Sequence, residues 1–330
     1  MLYIEARSRD AAFYFSAEEY LMRNVRTDEP VMMLWQTDKC VMLGNYQVTG
    51  AEINLDYARA EGMQVVRRPS GGGTIFTDMG TILYTVILPY TNELCTQKIA
   101  REQVAAPVIA ALSRLGVPAK LEGRNDILVD GKKISGLAQH AKNGRLCTHG
   151  SLLYDTDLDM LTRVLNVEEG KISSKAIRSV RSRVTNIKEH MSRLNSTREF
   201  WQHLKHNLFE DTEIREYSFS DCDLEDIDRI YHEKYGNPSW VFEKSPRFSY
   251  YNSIRFEQGK VEVYLDIVKG VVAACSIRGD FLGTVPIRGL EERLEQQVFQ
   301  YQDMLDALDG VELAPYLGGI TKGQLLSCMF

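Results

Sequence analysis

The run Arg67-Arg68-Pro69-Ser70-Gly71-Gly72-Gly73-Thr74-Ile75-Phe76 sets two guanidinium groups beside three consecutive glycines. Three glycines in a row cost backbone entropy and weaken any regular element they occupy. They suit a main chain that must come close to a ligand and turn its N–H groups toward it. With arginine alongside, such a loop can hold an anion, above all a phosphate. The same residues also describe a glycine-rich surface turn with solvated arginines, and the loop alone does not choose between the two.

A second segment, Asp126 to Gly136, brings a carboxylate and a lysine together. Its Asp130-Gly131 pair between apolar stretches predicts a type I′ hairpin, because that turn needs φ > 0 at both central positions. Without a bulge, Val129 pairs with Lys132 and Leu128 with Lys133. Asp126, Lys133 and Ser135 then share one face, and Lys132 joins Ile127, Val129 and Ile134 on the other. Lys133 is therefore the lysine expected to look into a polar site.

The two segments supply what adenylation of a carboxylic acid requires. A carboxylate is a poor acyl donor, so it is first joined to AMP from ATP. That step needs cations and N–H donors around the α-phosphate and the departing pyrophosphate, usually with Mg2+. Arg68 and the backbone of Gly71, Gly72 and Gly73 can supply donors. Lys133 can bridge phosphate and acyl carbonyl as a compact charge with three donors. Asp126 is the candidate carboxylate for Mg2+. No protein nucleophile is needed.

Elements that could position these groups are legible around them. Residues 10–24 suit a helix with an acid at its start and apolar positions at Phe13, Ala17, Tyr20 and Leu21. Apolar, β-branched runs at Val31–Trp35, Cys40–Leu43, Gln64–Arg68 and Thr81–Leu88 predict strands. Residues 97–115 read as an amphipathic helix that Pro107 should break or kink. Helices are also expected over 155–166, 196–209 and 221–235. Gly236-Asn237-Pro238 and Ser245-Pro246 then interrupt the pattern, which predicts domains at 1–244 and 245–330. The second is expected to be small and α/β, with strands at Ile254–Phe256, Val261–Ile267 and Val271–Arg278 and one helix from Leu290 to Leu308.

Composition narrows the class of partner. With 330 residues, 44% hydrophobic and 25% charged, the chain is that of an ordinary globular protein, and a net charge of −6 argues against general nucleic-acid binding. No basic n-region with an apolar h-region opens the chain, and no apolar run approaches membrane-spanning length, so a cytoplasmic protein is expected. The six cysteines, Cys40, Cys95, Cys147, Cys222, Cys275 and Cys328, form no CxxC pair and read as free thiols. Lys171, Lys175, Arg178, Arg181, Arg183 and Lys188 make a basic stretch, which is either a solvated face or a site for phosphate or an acidic partner.

Taken in order, Arg67-Arg68-x-Ser70-Gly-Gly-Gly73, Arg124-Asn125-Asp126, Lys133-x-Ser135-Gly136, His149-Gly150-Ser151-Leu152-Leu153 and Ser179-Val-Arg181-Ser-Arg183-Val-Thr185-Asn186 make a specific set. On these motifs the chain resembles the lipoate–protein ligases over nearly its whole length. The resemblance implies an α+β fold: a biotin/lipoate ligase-like mixed sheet flanked by helices, with a small C-terminal α/β accessory domain that is a lid-like module able to reorient between steps. It implies that lipoate and ATP give lipoyl-AMP, and that the acyl group then passes to a lysine of a lipoyl domain. The acceptor would be an E2 subunit of a 2-oxoacid dehydrogenase or the glycine-cleavage H protein.

By motif, Arg68, Gly73, Thr74, Ile75 and Phe76 would bind ATP, and Lys133 would contact both nucleotide and lipoyl carbonyl. Ser70, Gly71, Gly72, Ser135, His149 and Trp35 would belong to the lipoate site, although Trp35 as a bare feature reads first as a core residue and His149 first as a structural one. Arg181 and Arg183 would touch phosphate or acceptor. Three positions depart from the family pattern: Asn45 in Gly44-Asn45-Tyr46-Gln47 where arginine is common, Thr81 where asparagine is usual, and Leu137 where a small polar residue is typical. They bear on acyl selectivity and acceptor choice. Two rivals remain: an octanoyl or lipoyl transferase working through a Cys147 thioester, since related transferases use a cysteine and His149 lies two residues away, and a catalytically silent binder of lipoate or lipoyl domains.

Overall fold

The computed structural model describes the chain apart from residues 6–7, 26, 48, 92–94, 124, 166–181, 192–195, 211, 243–249 and 269. Arg124, Arg181, the basic residues 171–178 and the expected boundary at 244/245 therefore lie outside the described residues. The amino-terminal part carries strands β1 (Leu2–Ile4), β2 (Val31–Trp35), β3 (Cys40–Leu43), β4 (Gln64–Arg67), β5 (Ile75–Thr77) and β6 (Thr81–Pro89). It continues with β7 (Lys120–Glu122), β8 (Asp126–Val129), β9 (Lys132–Lys142), β10 (Arg145–Leu153) and β11 (Arg215–Tyr217).

Eight of these form one mixed sheet in the order β11-β1-β2-β6-β10-β9-β8-β7. β1 runs parallel to both β2 and β11, and β2 runs antiparallel to β6. A small sheet, β4-β3-β5, stands beside it. Central strand β6 is buried on both faces, as its largely apolar run, interrupted only at Thr85 between Ile82 and Leu88, requires. Its Ile82, Tyr84, Val86 and Leu88 pack on helix residues Val108, Leu112, Phe200 and Leu204. Leu83 and Ile87 turn the other way, toward Phe15, Leu21 and Trp35.

The helix predicted over 10–24 spans Ala11–Asn24 (α1), and the Asp10 carboxylate accepts from the Ala12 N–H at its start. Pro107 leaves its expected mark. The helix is π-wound over Ala100–Ala105 and resumes as an α-helix over Ala106–Arg114. A π turn lets the chain pass a proline that can neither donate nor tolerate the carbonyl four residues back.

The Asp130-Gly131 turn is type I′ in its dihedral signs, with φ of 50° and 72°, and Val129 faces Lys132 while Leu128 faces Lys133. One residue further the register shifts, so that Ile127 faces Ser135 and Asp126 faces Gly136. This β-bulge corrects the expectation that Ser135 shares a face with Asp126 and Lys133. An extra residue on β9 reverses the alternation beyond it. Ser135 turns to the helix-covered face, 3.3 Å from the Tyr84 hydroxyl, and Gly136 takes the site face.

The carboxy-terminal part contains β12 (Tyr250–Phe256), β13 (Gly259–Val268) and β14 (Val271–Gly279) in one antiparallel sheet. The single helix expected from Leu290 to Leu308 is two, Arg288–Leu294 and Tyr301–Ala307. Gln296 adopts φ of 65°, and Val298 bridges Val271 at the sheet edge, so the intervening chain serves the sheet instead of the helix.

Candidate active site

A cavity of about 140 Å³ opens between α1, β2, β6, β9, β10 and the glycine loop. Phe15, Trp35, Met42, Ile75 and Leu83 make its walls apolar, while Arg68, Asn125, Lys133, His149 and Ser151 supply polar groups. Such a slot suits an elongated apolar acid with its reactive end at the polar side.

The two arginines before the glycine loop divide the work. Arg67 is buried and donates to the carbonyls of Gly44, Asn45, Gln47, Trp240 and Val241 and to the Thr49 hydroxyl. It is a staple between loops and has no role at the cavity. Arg68 does line the cavity, and donates to the carbonyls of Met42, Gly71 and Gly73 at 2.7–2.9 Å. Burial, and then the charge of Arg67, bring Arg68 down to about 10, so it remains a cation at neutral pH.

The glycines themselves are required by crowding. A Cβ at Gly71 would run into the Phe281 carbonyl, one at Gly44 into the Gly72 carbonyl, and Gly72 sits at φ of 92°. The Gly72 N–H, the kind of donor a phosphate would seek, here donates to the Phe281 carbonyl of the carboxy-terminal part at 3.1 Å. That contact is reinforced by Tyr46, which stacks on Phe281 with ring centroids 4.8 Å apart and donates to the Val285 carbonyl.

Lys133 reaches the cavity from β9 and lies 2.8 Å from the Asp126 carboxylate, both about one-third exposed. Gly136 lets it do so, because a side chain there would meet the Lys133 ammonium. Asp126 offers one hard oxygen ligand set. That fits Mg2+, which keeps several waters and takes few protein carboxylates when it also binds phosphates. The Lys133 carbonyl accepts from the Thr185 N–H at 3.0 Å, and Val184 bridges Lys133, so the segment carrying exposed Arg183 is tied to β9.

Trp35 is both core and cavity wall. It is 1% exposed, stacks on Tyr14 at 4.5 Å and lines the cavity. Gly73, Thr74 and Ile75 line the mouth, whereas Phe76 faces the core beneath β3. Ser70 is fully buried and 2.6 Å from His149 Nε2, and His149 Nδ1 lies 3.3 Å from both Glu18 oxygens. Of the three departures, Thr81 is spent in a turn, bonded to Thr156, and Leu137 exchanges backbone and side-chain hydrogen bonds with Asn125 at the cavity edge.

Sequence reasoning missed Glu18, Thr85, Asn125 and Leu282. Glu18 had a signal: it falls three residues from Phe15 and from Leu21, an acid on the apolar stripe of α1. Burial works to raise its carboxyl, but His149, His140 and Thr85 outweigh that and bring it below its ordinary value. His140, pushed down to about 3 by burial, keeps a buried Nδ1 with no hydrogen-bond partner among the described residues.

The state of Cys147 does not favour the thioester alternative. The thiol is 0% exposed, and burial followed by the Glu18 charge pushes it well above its ordinary pKa. A buried neutral thiol is neither nucleophilic nor reachable. Iodoacetamide on the folded protein at pH 7.5 is therefore expected to label exposed Cys95 and Cys222 and to spare Cys147. Rapid modification of Cys147 in peptide mass mapping would reopen the thioester route.

Known proteins agree with this architecture. Residues 10–209 match the lipoyl protein ligase A/B catalytic domain and residues 245–329 match the bacterial lipoate protein ligase C-terminus. The lipoate-protein ligase LplJ of Bacillus subtilis is 35% identical over 334 residues, covering 100% of both chains. Lipoate–protein ligase 1 of Staphylococcus aureus is 32% identical, covering 97% of each. Among solved structures, P. falciparum LipL1 in complex with lipoate superposes with TM-score 0.77 at 20% identity over 94% of each chain. The bipartite lipoate protein ligase of Thermoplasma acidophilum, solved with its E2 lipoyl domain, superposes at 0.66 and 25% identity, covering 76% of this chain and 98% of that one. A glycine loop held by buried Arg68, a lysine–aspartate pair at the mouth of an apolar slot, and a family match and relatives that span nearly the whole chain together mean that the chain belongs to the lipoate–protein ligase family.

Proposed function

We propose that the protein activates lipoate with ATP and transfers it to a lysine of a lipoyl-accepting domain, with residues 1–244 as the catalytic domain and 245–330 as an accessory domain. The observation that carries this reading is the Lys133–Asp126 pair, set where the apolar slot meets the glycine loop. The Thermoplasma ligase solved with its E2 lipoyl domain supports the acceptor class, either an E2 subunit or the glycine-cleavage H protein. No described helix is long and apolar enough to cross a membrane, and six free thiols fit a reducing cytoplasm.

The lipoyl tail lies against Trp35, Phe15, Met42 and Leu83, and its carboxylate meets Lys133. A carboxylate oxygen attacks the α-phosphorus of ATP and pyrophosphate leaves. Arg68 keeps the Gly71–Gly73 backbone in the shape that aims N–H groups at the phosphates, and Lys133 neutralises charge on phosphate and acyl oxygen together. Asp126 is the residue that would hold Mg2+, which would supply charge neutralisation for the departing pyrophosphate. The acceptor lysine amine then attacks the acyl carbonyl and AMP departs. A phosphate oxygen and the Phe281 carbonyl cannot share the Gly72 N–H, so the accessory loop withdraws when nucleotide binds. Arg183, and Arg181 beyond the described residues, would then face phosphate or acceptor.

The test is pyrophosphate release with ATP, Mg2+ and free lipoate and no acceptor protein. Lipoate-dependent release, with lipoyl-AMP retained on the enzyme, is expected. Absence of release would end the ligase reading, and trapping an octanoyl thioester on Cys147 would replace it with acyl transfer.

A further inference from the structure

One buried carboxylate touches both halves of the site. Glu18 is 0% exposed on α1, between Thr85 of β6 and His149 of β10. Thr85 donates to Glu18 Oε1 at 2.6 Å, and Trp35 Nε1 donates to the Thr85 hydroxyl at 3.0 Å. The directions are forced: an indole N–H only donates and a carboxylate only accepts, so the single Thr85 proton must point at Glu18. On the other side the carboxylate can only accept from His149 Nδ1, so that nitrogen carries a proton and Nε2 is left toward Ser70 at 2.6 Å. Ser70 is the residue before Gly71–Gly73, and its own carbonyl accepts from the Asn45 N–H at 2.9 Å.

Resting on the ligase reading above, we propose that Glu18 is the positioning residue of this site: through Thr85 it sets Trp35, the acyl wall, and through His149 and Ser70 it sets the glycine loop. Filling the acyl slot and shaping the anion loop are then one event. The physical core of the claim is tautomer control. A glutamine at position 18 can offer an N–H to His149 Nδ1, which moves the imidazole proton to Nε2 and reverses the bond to Ser70. Neighbouring Glu19 makes the contrast. It is 3% exposed on the same helix and bonds Lys142, Lys234 and Tyr235, none of which lines the cavity.

The experiment compares Glu18→Gln with Glu19→Gln in pyrophosphate release, with KM for lipoate and kcat determined separately. In Glu18→Gln the lipoate KM is expected to rise and kcat to fall, each by about tenfold, the effect of one charge-assisted hydrogen bond. Glu19→Gln is expected to lower Tm while both constants stay at wild-type values. Thr85→Val should raise the lipoate KM alone and Ser70→Ala should lower kcat alone. Joining Ser70→Ala to Glu18→Gln should cost no more kcat than the worse single change, as for members of one unit.

Wild-type constants in Glu18→Gln, equal kinetic losses in Glu19→Gln, or full additivity would overturn the proposal. Should Glu18→Gln not fold, Thr85→Val and Ser70→Ala still read the two arms, and normal kinetics in both would be equally fatal. A wild-type protein that releases no pyrophosphate would instead overturn the ligase reading. Side-chain 15N spectra then decide the relay by themselves: His149 protonated at Nδ1 in the wild type and at Nε2 in Glu18→Gln supports it, and an unchanged tautomer overturns it.

Discussion

Replacing Lys133 with alanine is expected to reduce lipoyl-AMP formation by about 10²–10³-fold or more, the loss produced when one preorganised charge donor is removed from a reacting centre. The expectation rests on where the ammonium sits: over Gly136, 2.8 Å from Asp126, at the mouth of the slot. Nothing else described at the mouth duplicates it, since the Arg68 guanidinium is committed to loop carbonyls. The fold should hardly notice. The pair is about one-third exposed, and such pairs contribute roughly 0–1 kcal/mol. Pyrophosphate release and a urea titration on the same preparation check both halves. A variant that adenylates at near wild-type rate would remove Lys133 from the mechanism, and one that unfolds would make it a structural residue.

Arginine 67 should behave in the opposite way. Arg67→Ala is expected to destabilise the protein by about 4 kcal/mol, because an unsatisfied buried polar group costs roughly 1–3 kcal/mol and five carbonyls lose this donor, with Gly44 and Val241 keeping a second one from the Gln47 N–H and the Thr49 hydroxyl. Water entering the gap would satisfy some of them, which keeps the figure below the simple sum. That loss is a large part of the ~5–15 kcal/mol holding a typical domain together. Arg67→Lys should recover little, since one ammonium with three protons cannot reproduce a planar fork with five. The urea midpoint reads the effect directly. A loss below about 1 kcal/mol would mean that the loops at 44–47 and 238–241 are fastened by something other than this staple.

The contrast between these adjacent arginines shows where sequence reading stopped. Both stood beside the glycines and both were credible anion ligands by type. Strand alternation sends one side chain to each side of β4, but only packing determines that one side is the loop-buried staple and the other the cavity. The hairpin shows the same boundary. Asp130-Gly131 fixed a type I′ turn because few residues tolerate φ > 0, and the alternation from it sends Lys133 to the cavity face. Ser135 does not follow that alternation, because a bulge intervenes that has no signature in local propensity; it arises from fitting β9 between β8 and β10. In the carboxy-terminal part, periodicity over 290–308 suggested one helix, and the demand of β14 for an edge partner broke it in two.

The sequence by itself determined the family likeness: a glycine loop, a lysine–aspartate hairpin and their order along the chain, which resemble those of the lipoate–protein ligases. It also determined the strands and helices whose period or capping is strong, such as α1 behind Asp10. Tertiary structure alone decided which groups meet. Glu18 and His149 are 131 residues apart, and no local pattern encodes that they share a carboxylate–imidazole contact. The same holds for Phe281 on the Gly72 N–H, a contact across 209 residues. Local propensity acts over a few residues through backbone sterics and hydrogen bonding. Contacts like these depend on the mutual exclusion of side chains in a packed interior, where each position is set by all its neighbours at once.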